Sequence, residues 1–351
     1  MENPYQAYVV TGAAGFLGSQ MVWHLLKKGK GVIATDIKEP WWLEQYNQKY
    51  QGALKFETAD LMDKTSLERV LKNTRYLFHF AAIFNHSADP ELLMKVNATG
   101  TENVFTIALQ NGMERVIHMG SMSVYGHDQV AEEGAKYAIT EQKKPNPADP
   151  YARSKQAGRE IAASFNGRSG LEVAIVDPAG IFGPHSQYGN VEIIDILLKG
   201  AMLLPDGGKH KASMIHSQDV IGICDYLMHY SALPKGNDAQ AISYLASDTT
   251  PAAAKELLEM LWQEIPRELQ RPTIKAVTQK IPLKKWLVKP IAKITKQHQM
   301  MYGFGDHSAS PEKILSLGYE LQFPETQQTI REVMNWHKEE GLLAKKMKKK
   351  Q

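Results

Sequence analysis

The sequence predicts an α/β fold: a doubly wound parallel sheet followed by a smaller, intermittent C-terminal lobe. Three observations predict it. Short apolar runs alternate with helical patterns over the first 180 residues. A glycine-rich turn separates the first apolar run from the first helical pattern, and after Gly183 the alternation breaks into pieces punctuated by Pro and Gly.

In chain order, strands are expected over 7–11, 31–36, 54–58, 76–81, 115–119 and 172–176, all runs of apolar and β-branched residues. Helices are expected between them over 17–28, 64–71, 91–110 and 151–165. Asp149-Pro150 marks the start of the last, because Asp suits the N-cap and Pro the first helical position. In the later lobe the pattern predicts helices over 191–199 and 252–264.

Composition excludes several classes. With 351 residues, 43% apolar and 23% charged, the chain can bury a large core. Cys224 is the only cysteine, so no intramolecular disulfide forms and a reducing, cytoplasmic setting is expected. The start of the chain shows no basic-then-apolar leader, and no apolar run of about 18 residues predicts a spanning helix. Net charge is +3, but unevenly spread. Eight basic residues (Arg271, Lys275, Lys280, Lys284, Lys285, Lys289, Lys293 and Lys296) occupy a stretch without acids, and the tail adds Lys345, Lys346, Lys348, Lys349 and Lys350.

Gly12, Gly15 and Gly18 follow a predicted strand and open a predicted helix. The first two permit a tight turn whose amides approach a pyrophosphate at the helix N-terminus; Gly18 permits close packing of helix on strand. Phe16 and Leu17, between the last two glycines, belong to the same cradle. Asp36 ends the second strand, where a carboxylate can take the adenosine ribose hydroxyls and repel a 2′-phosphate. The cofactor expected is NAD rather than NADP, a preference moderated by Lys38.

From these residues onward the chain resembles the extended short-chain dehydrogenase/reductase superfamily, and the resemblance runs in order over about residues 5–225. Asp60-Leu61 resembles the pair beside the adenine, and His79-Phe80-Ala81-Ala82 the strand end under the cofactor. Val96-Asn97-Ala98-Thr99-Gly100 resembles the helix motif behind it, and Ser121-Met122-Ser123-Val124-Tyr125 the serine-bearing strand end. Asp177-Pro178 through Ile181-Phe182-Gly183-Pro184 resembles the loop closing on the nicotinamide, and His216 to Val220 a late motif of the second lobe. The resemblance implies a Rossmann NAD-binding domain over 1–183 and a mainly substrate-binding lobe over 184–340 with segments returning to the first domain. A basic tail over 341–351 follows. It also implies cofactor contacts from Asp60, Leu61, Ala81, Ala82, Asn97, Pro178 and Ile181, and a homodimer.

Tyr151 and Lys155 stand one helical turn apart on one face. An ammonium and a positive nicotinamide nearby would favour phenolate and bring the phenol's pKa down. The resemblance implies Tyr151 as the acid/base group and Lys155 as the residue that holds the nicotinamide ribose and tunes it. Ser121 would hydrogen-bond the reacting carbonyl, with Ser123 as the other candidate. Asn97 is read equally as a packing residue and as one that orders the site backbone. His79 and His216 are read as satisfied structural histidines. No metal site is expected, since no His/Asp/Glu cluster has ligand spacing.

Asp177, where the superfamily often carries Arg or Asn facing the substrate, would repel a diphosphate, and Phe84 stands where sugar-nucleotide members often carry a polar group. With the segment from Lys209 to His216, which lacks the Arg often found before the late His motif, they weigh against the nucleotide-sugar branch. The substrate expected is a largely apolar small molecule, an alcohol or ketone of the hydroxysteroid dehydrogenase or flavonoid-type reductase kind if the basic stretch 271–296 meets a membrane. Ile281, Leu283, Trp286 and Leu287 interleave with lysines in 271–296, a mixture suited either to a solvated face or to peripheral membrane contact. Nucleic acid is not expected as a partner, because no recognition motif accompanies the charge. The alternatives are a nucleotide-sugar epimerase or dehydratase and a non-catalytic NAD-sensing scaffold.

Overall fold

Apolar runs of four to seven residues assemble one seven-stranded sheet from β1 (Tyr8–Thr11), β2 (Val32–Asp36), β3 (Leu54–Thr58), β4 (Tyr76–His79), β5 (Arg115–Met119), β6 (Glu172–Pro178) and β10 (Ser243–Ala246). The computed structural model describes residues 8–85, 88–126, 129–186, 193–194, 205–267 and 305–341. Strand order is β10-β6-β5-β4-β1-β2-β3, and each pairing from β6 to β3 is parallel. The order runs outward in both directions from β1 and β4. A crevice therefore opens at the carboxyl ends of those two strands.

The connections are helices α1 (Phe16–Lys27), α2 (Leu43–Lys49), α3 (Lys64–Leu71), α4 (Pro90–Met94), α5 (Gly100–Gln110) and α6 (Pro150–Phe165). The start of α6 is as the sequence predicts: the Asp149 carboxylate accepts from Ala152 N at 2.8 Å, with Pro150 in the first turn. The single helix expected over 91–110 is instead interrupted by a π-helical turn at Lys95–Thr99. That irregularity places Asn97 at the site described below.

The chain divides into two units, the first Met1–Gly126, Glu141–Pro178 and Val220–Leu245, the second His127–Thr140, Ala179–Asp219 and Ala246–Gln351. Within the first unit, Val9, Leu67, Leu77, Val104, Phe105, Val116 and Val173 form one apolar cluster between the sheet and its helices.

The second unit holds β7 (Gly180–Phe182) parallel to β9 (Met214–His216), and β8 (Lys211–Ala212) antiparallel to β11 (Ala252–Ala253). Helix α7 (Ser217–His229) begins in this unit, which also contains α8 (Ala254–Glu264), α9 (Glu312–Ser316) and α10 (Thr326–Glu339). Leu257, Leu258 and Leu261 of α8 and Ile330, Val333 and Met334 of α10 share a cluster with Phe182 and Met214. The helix expected over 252–264 is present, with its first two residues in β11. Most of the helix expected over 191–199, the basic stretch 271–296 and the lysine tail lie outside the described residues. No helix among the described residues is long and apolar enough to cross a membrane.

Candidate active site

The turn after β1 leaves no room for side chains. Gly12 has φ +71°, and a Cβ there would lie 2.7 Å from Ala81 N at the end of β4. A Cβ on Gly18 would lie 2.0 Å from Gly12 O. Gly15 N donates to Gly12 O at 2.9 Å, and Gly15 then serves as a side-chain-free N-cap of α1. The first amides of α1, at Phe16 and Leu17, thus open a helix with no side chain covering its positive end. These residues fit a dinucleotide pyrophosphate: the cradle is one that a Cβ would fill.

Asp36 closes the turn from the next strand. Its Oδ2 accepts from Ala14 N at 3.0 Å and its Oδ1 from Ile37 N at 2.8 Å, so the carboxylate also fixes the glycine loop to β2. Asp60 is exposed and accepts from Met62 N at 2.9 Å. Leu61 is buried, and a Cβ on Gly100 would come within 2.9 Å of it. Asn103 Nδ2 donates to Leu61 O at 2.9 Å. Ala81 is half-buried and Ala82 exposed beyond the end of β4.

Behind this edge runs a buried polar chain. Thr11 Oγ1 and His79 Nδ1 are 2.8 Å apart, His79 Nε2 and Thr101 Oγ1 3.1 Å, and Thr101 Oγ1 donates to Asn97 O at 2.8 Å. Burial, with the Lys155 charge adding to it, holds the His79 imidazole down to about 3, so it stays neutral as a strand-end histidine with both nitrogens bonded. Asn97 works on the site backbone: its Oδ1 accepts from Ile83 N at 2.7 Å, and its Nδ2 donates to Ile83 O and to Ser154 Oγ, both at 3.0 Å. Of the two roles open in the sequence, ordering the backbone is the one these contacts describe.

Tyr151 and Lys155 share the buried face of α6, at 6% and 4% exposure. Lys155 Nζ donates to Met119 O at the end of β5, at 2.6 Å. Burial lowers its ammonium to about 8, against a smaller upward pull from Asp177. The lowering expected of the Tyr151 phenol includes the charge of a bound nicotinamide; the chain's own groups push the other way. Burial pushes its pKa up, a hydrogen bond with the Ser121 side chain pulls the other way, and Asp149 adds to the rise. Burial is the largest of these influences, and the Lys155 ammonium is held at the Met119 carbonyl.

Ser121 Oγ lies 2.8 Å from Ser123 Oγ, and Ser123 N donates to Ser121 Oγ at 3.2 Å. Phe84 stands edge-on to the Tyr151 ring, centroids 5.2 Å apart and planes at 89°. It is 46% exposed, so it is not a core residue. Phe84, Ser121, Ser123, Tyr151 and Lys155 therefore gather in the first unit, at the ends of β4 and β5.

One expected substrate residue stands elsewhere. Asp177 does not face a substrate: it is fully buried, its Oδ1 accepts from Ser121 N at 2.9 Å and its Oδ2 pairs with Arg159 Nε at 3.2 Å. The repulsion of a diphosphate expected from it is withdrawn, because its charge is already matched inside the fold. Ile181 lies half-buried in β7 of the second unit, in register with Ile215, while Pro178 ends β6. His216 is a structural histidine, 2.7 Å from Glu332 Oε2. Among the described residues no group of three or more His, Cys, Asp or Glu could hold a metal.

Sequence reasoning missed Arg159 and His118. Arg159 lies on the apolar face of α6, four and eight residues beyond Lys155 and Tyr151, so a buried cation was detectable from spacing alone. His118 sits fully buried in β5 with no hydrogen-bond partner for either ring nitrogen among the described residues, and burial holds it well below the usual histidine range.

A glycine cradle at the carboxyl end of β1 and a Tyr/Lys helix beside a serine-bearing strand end define a dinucleotide-dependent α/β enzyme class. Residues 8–240 match the NAD dependent epimerase/dehydratase family, and the chain belongs to it. It is an NAD-dependent enzyme of the extended short-chain dehydrogenase/reductase type. A UDP-glucose 4-epimerase of Mycolicibacterium smegmatis is 32% identical over 204 residues, 55% of this chain and 63% of that protein. The human sterol-4-alpha-carboxylate 3-dehydrogenase (decarboxylating) is 29% identical over 205 residues, 57% of this chain and 50% of that one. The chain thus spans less than two thirds of either relative. The solved UDP-glucose 4-epimerase of Thermotoga maritima, with UDP-glucose, shares the fold at a TM-score of 0.73 and 19% identity, covering 95% of this chain and 99% of that one.

Proposed function

We propose that the protein interconverts a secondary alcohol and a ketone on a largely apolar small molecule, with Tyr151 as the acid/base group. The observation that carries this reading is the half-exposed Phe84 ring set edge-on against a phenol that already hydrogen-bonds Ser121. An aromatic wall at that point suits an apolar substrate body.

Gly12, Gly15, Phe16, Leu17 and Gly18 would hold the NAD pyrophosphate, Asp36 the adenosine ribose, and Asp60 and Leu61 the adenine. Ala81 and Ala82 would run under the cofactor, Asn97 would order the adjoining backbone, and Pro178 and Ile181 would flank the nicotinamide. When bound, NAD supplies the hydride acceptor or donor. Ser121 Oγ holds the substrate oxygen, and Tyr151 Oη gives it a proton in reduction or takes one in oxidation. Lys155 holds the ribose and favours the phenolate electrostatically, against the burial that raises the phenol's pKa. The homodimer implied by the superfamily belongs to this proposal, and Leu92 and Met94, exposed on α4, are apolar side chains it could cover.

The test is Tyr151→Phe, followed at 340 nm with a panel of alcohols and ketones. Loss of about 10²–10⁴-fold in kcat supports the role; unchanged turnover removes it.

A second reading, a nucleotide-sugar epimerase or dehydratase, is favoured by the epimerase relatives and by the inward turn of Asp177, which removes an objection to a diphosphate. Conversion of a UDP-sugar with no net change at 340 nm would replace the first reading with this one. The NAD-sensing scaffold gains no support from a site in which Ser121 and Tyr151 are already joined.

A further inference from the structure

The β5–β6 register pairs Met119 with Val176, and Gly120 N donates to Val176 O at 2.7 Å. One residue further on, ordinary strand pairing stops. Ser121 N donates to a side chain, Asp177 Oδ1, at 2.9 Å. The approach is so close that a Cβ on Gly120 would lie 1.8 Å from that oxygen, so glycine is the residue position 120 accepts. The other oxygen, Oδ2, meets Arg159 Nε at 3.2 Å, with both side chains at 1% exposure or less.

Arg159 is itself held. Its Nε lies 3.1 Å from Ser243 Oγ, and its Nη2 donates to Ala239 O at 3.2 Å. It is carried by α6, the helix that also carries Tyr151 and Lys155. Asp177 is therefore a two-ended strut, with one oxygen on the backbone of Ser121 and the other on a cation fixed to the helix of Tyr151. A buried carboxylate without both partners would be strongly disfavoured, so the strut has one geometry.

We infer that Asp177 is a positioning residue: by accepting the Ser121 amide hydrogen it sets the place of the Ser121 side chain beside Tyr151, while the Arg159 pair matches the charge of the buried carboxylate. The inference rests on the reading of Ser121 and Tyr151 as the acid/base pair. It predicts that the hydrogen bond donated by the Ser121 amide matters to turnover beyond any contribution of the ion pair to stability.

Two charge-free double variants separate these effects. Asp177→Asn with Arg159→Met removes the ion pair but keeps an acceptor for Ser121 N–H, and Asp177→Leu with Arg159→Met removes both. Amide hydrogen exchange at Ser121, kcat, KM for NAD and Tm are measured on each. With the asparagine, exchange at Ser121 stays slow and kcat stays within a few-fold of the parent. With the leucine, exchange quickens by about tenfold or more and kcat falls about 10²-fold, with KM for NAD unchanged. Equal exchange and equal kcat in the two variants would overturn the inference. Should the leucine variant not fold, Gly120→Ala displaces Oδ1 without touching a charge. It should quicken exchange and lower kcat, and no change in either would overturn the inference. If the parent turns over no substrate, the functional reading fails, while the exchange comparison still decides whether Asp177 holds Ser121.

Discussion

The two units bury polar side chains to different ends. In the first, Asn97, Lys155, Arg159 and Asp177 are buried, and three of their partners are backbone or side-chain groups of the site itself: Ile83, Met119 and Ser121. In the second, the buried polar groups tie distant turns together. Asp219 accepts from Gln322 N at 2.7 Å, Phe323 N at 2.9 Å and Tyr319 Oη at 3.2 Å; His216 joins Glu332; and Asp248 accepts from Thr326 Oγ1. At the proposed site burial of a charge thus positions the groups proposed to react, whereas in the second unit it joins segments that no regular sheet holds.

That contrast is sharpest at Asp219. Asp219→Leu leaves two backbone donors without an acceptor, and should cost about 3 kcal/mol or more of stability in denaturant unfolding while leaving NAD affinity intact. Lost affinity with unchanged stability would erase the distinction between the units.

Lys155 is the converse, a buried charge at the proposed site that lowers stability. Its folded value is about 8 against an ordinary 10.5, so between those values the unfolded chain binds more protons and stability rises with pH. The burial penalty is fully present below pH 8 and fades as pH climbs toward 10.5. Lys155→Met should therefore stabilise the fold by up to about 3 kcal/mol at pH 7, with the difference nearly gone by about pH 10.5, while turnover falls. A flat difference across that window would mean that the ammonium is not desolvated.

Gly12→Ala should act on the cradle alone. The left-handed backbone and the contact with Ala81 N predict about 1–3 kcal/mol of strain, read as weaker NAD binding by calorimetry. The smallest effect is expected at Asp36. Asp36→Ser should shift the NAD-over-NADP preference by roughly tenfold toward NADP, about 1.4 kcal/mol, with some loosening of the Ala14 amide.

The same contrast explains what the sequence made legible. The first unit follows local rules: six runs of apolar residues became the first six strands of the sheet, Asp149-Pro150 became a capped helix start, and Gly12, Gly15 and Gly18 a bare turn. The Tyr151–Lys155 pair followed from helical spacing. Strands β7, β8, β9 and β11 are only two or three residues long, too short to show a period, and their polar anchors lie about a hundred residues apart in the chain. Asp177 was misread for a related reason. It was read as facing the substrate because the superfamily often carries Arg or Asn there, whereas its partner Arg159 sits on another element and turns the carboxylate inward. The rise in the Tyr151 pKa was hidden too, since helical spacing reveals a nearby ammonium but not how deeply the phenol is buried.

The glycine turn and the Tyr151 hydroxyl are proposed to serve one cofactor. A crystal structure of the full chain with NAD tests this directly. It should show the pyrophosphate against the amides of Gly12–Leu17 and the nicotinamide beside Tyr151 and Lys155, with Ser121 Oγ and Tyr151 Oη converging on one substrate-oxygen position. A dinucleotide bound away from the turn, or a nicotinamide placed against other side chains with Tyr151 out of reach, would contradict it.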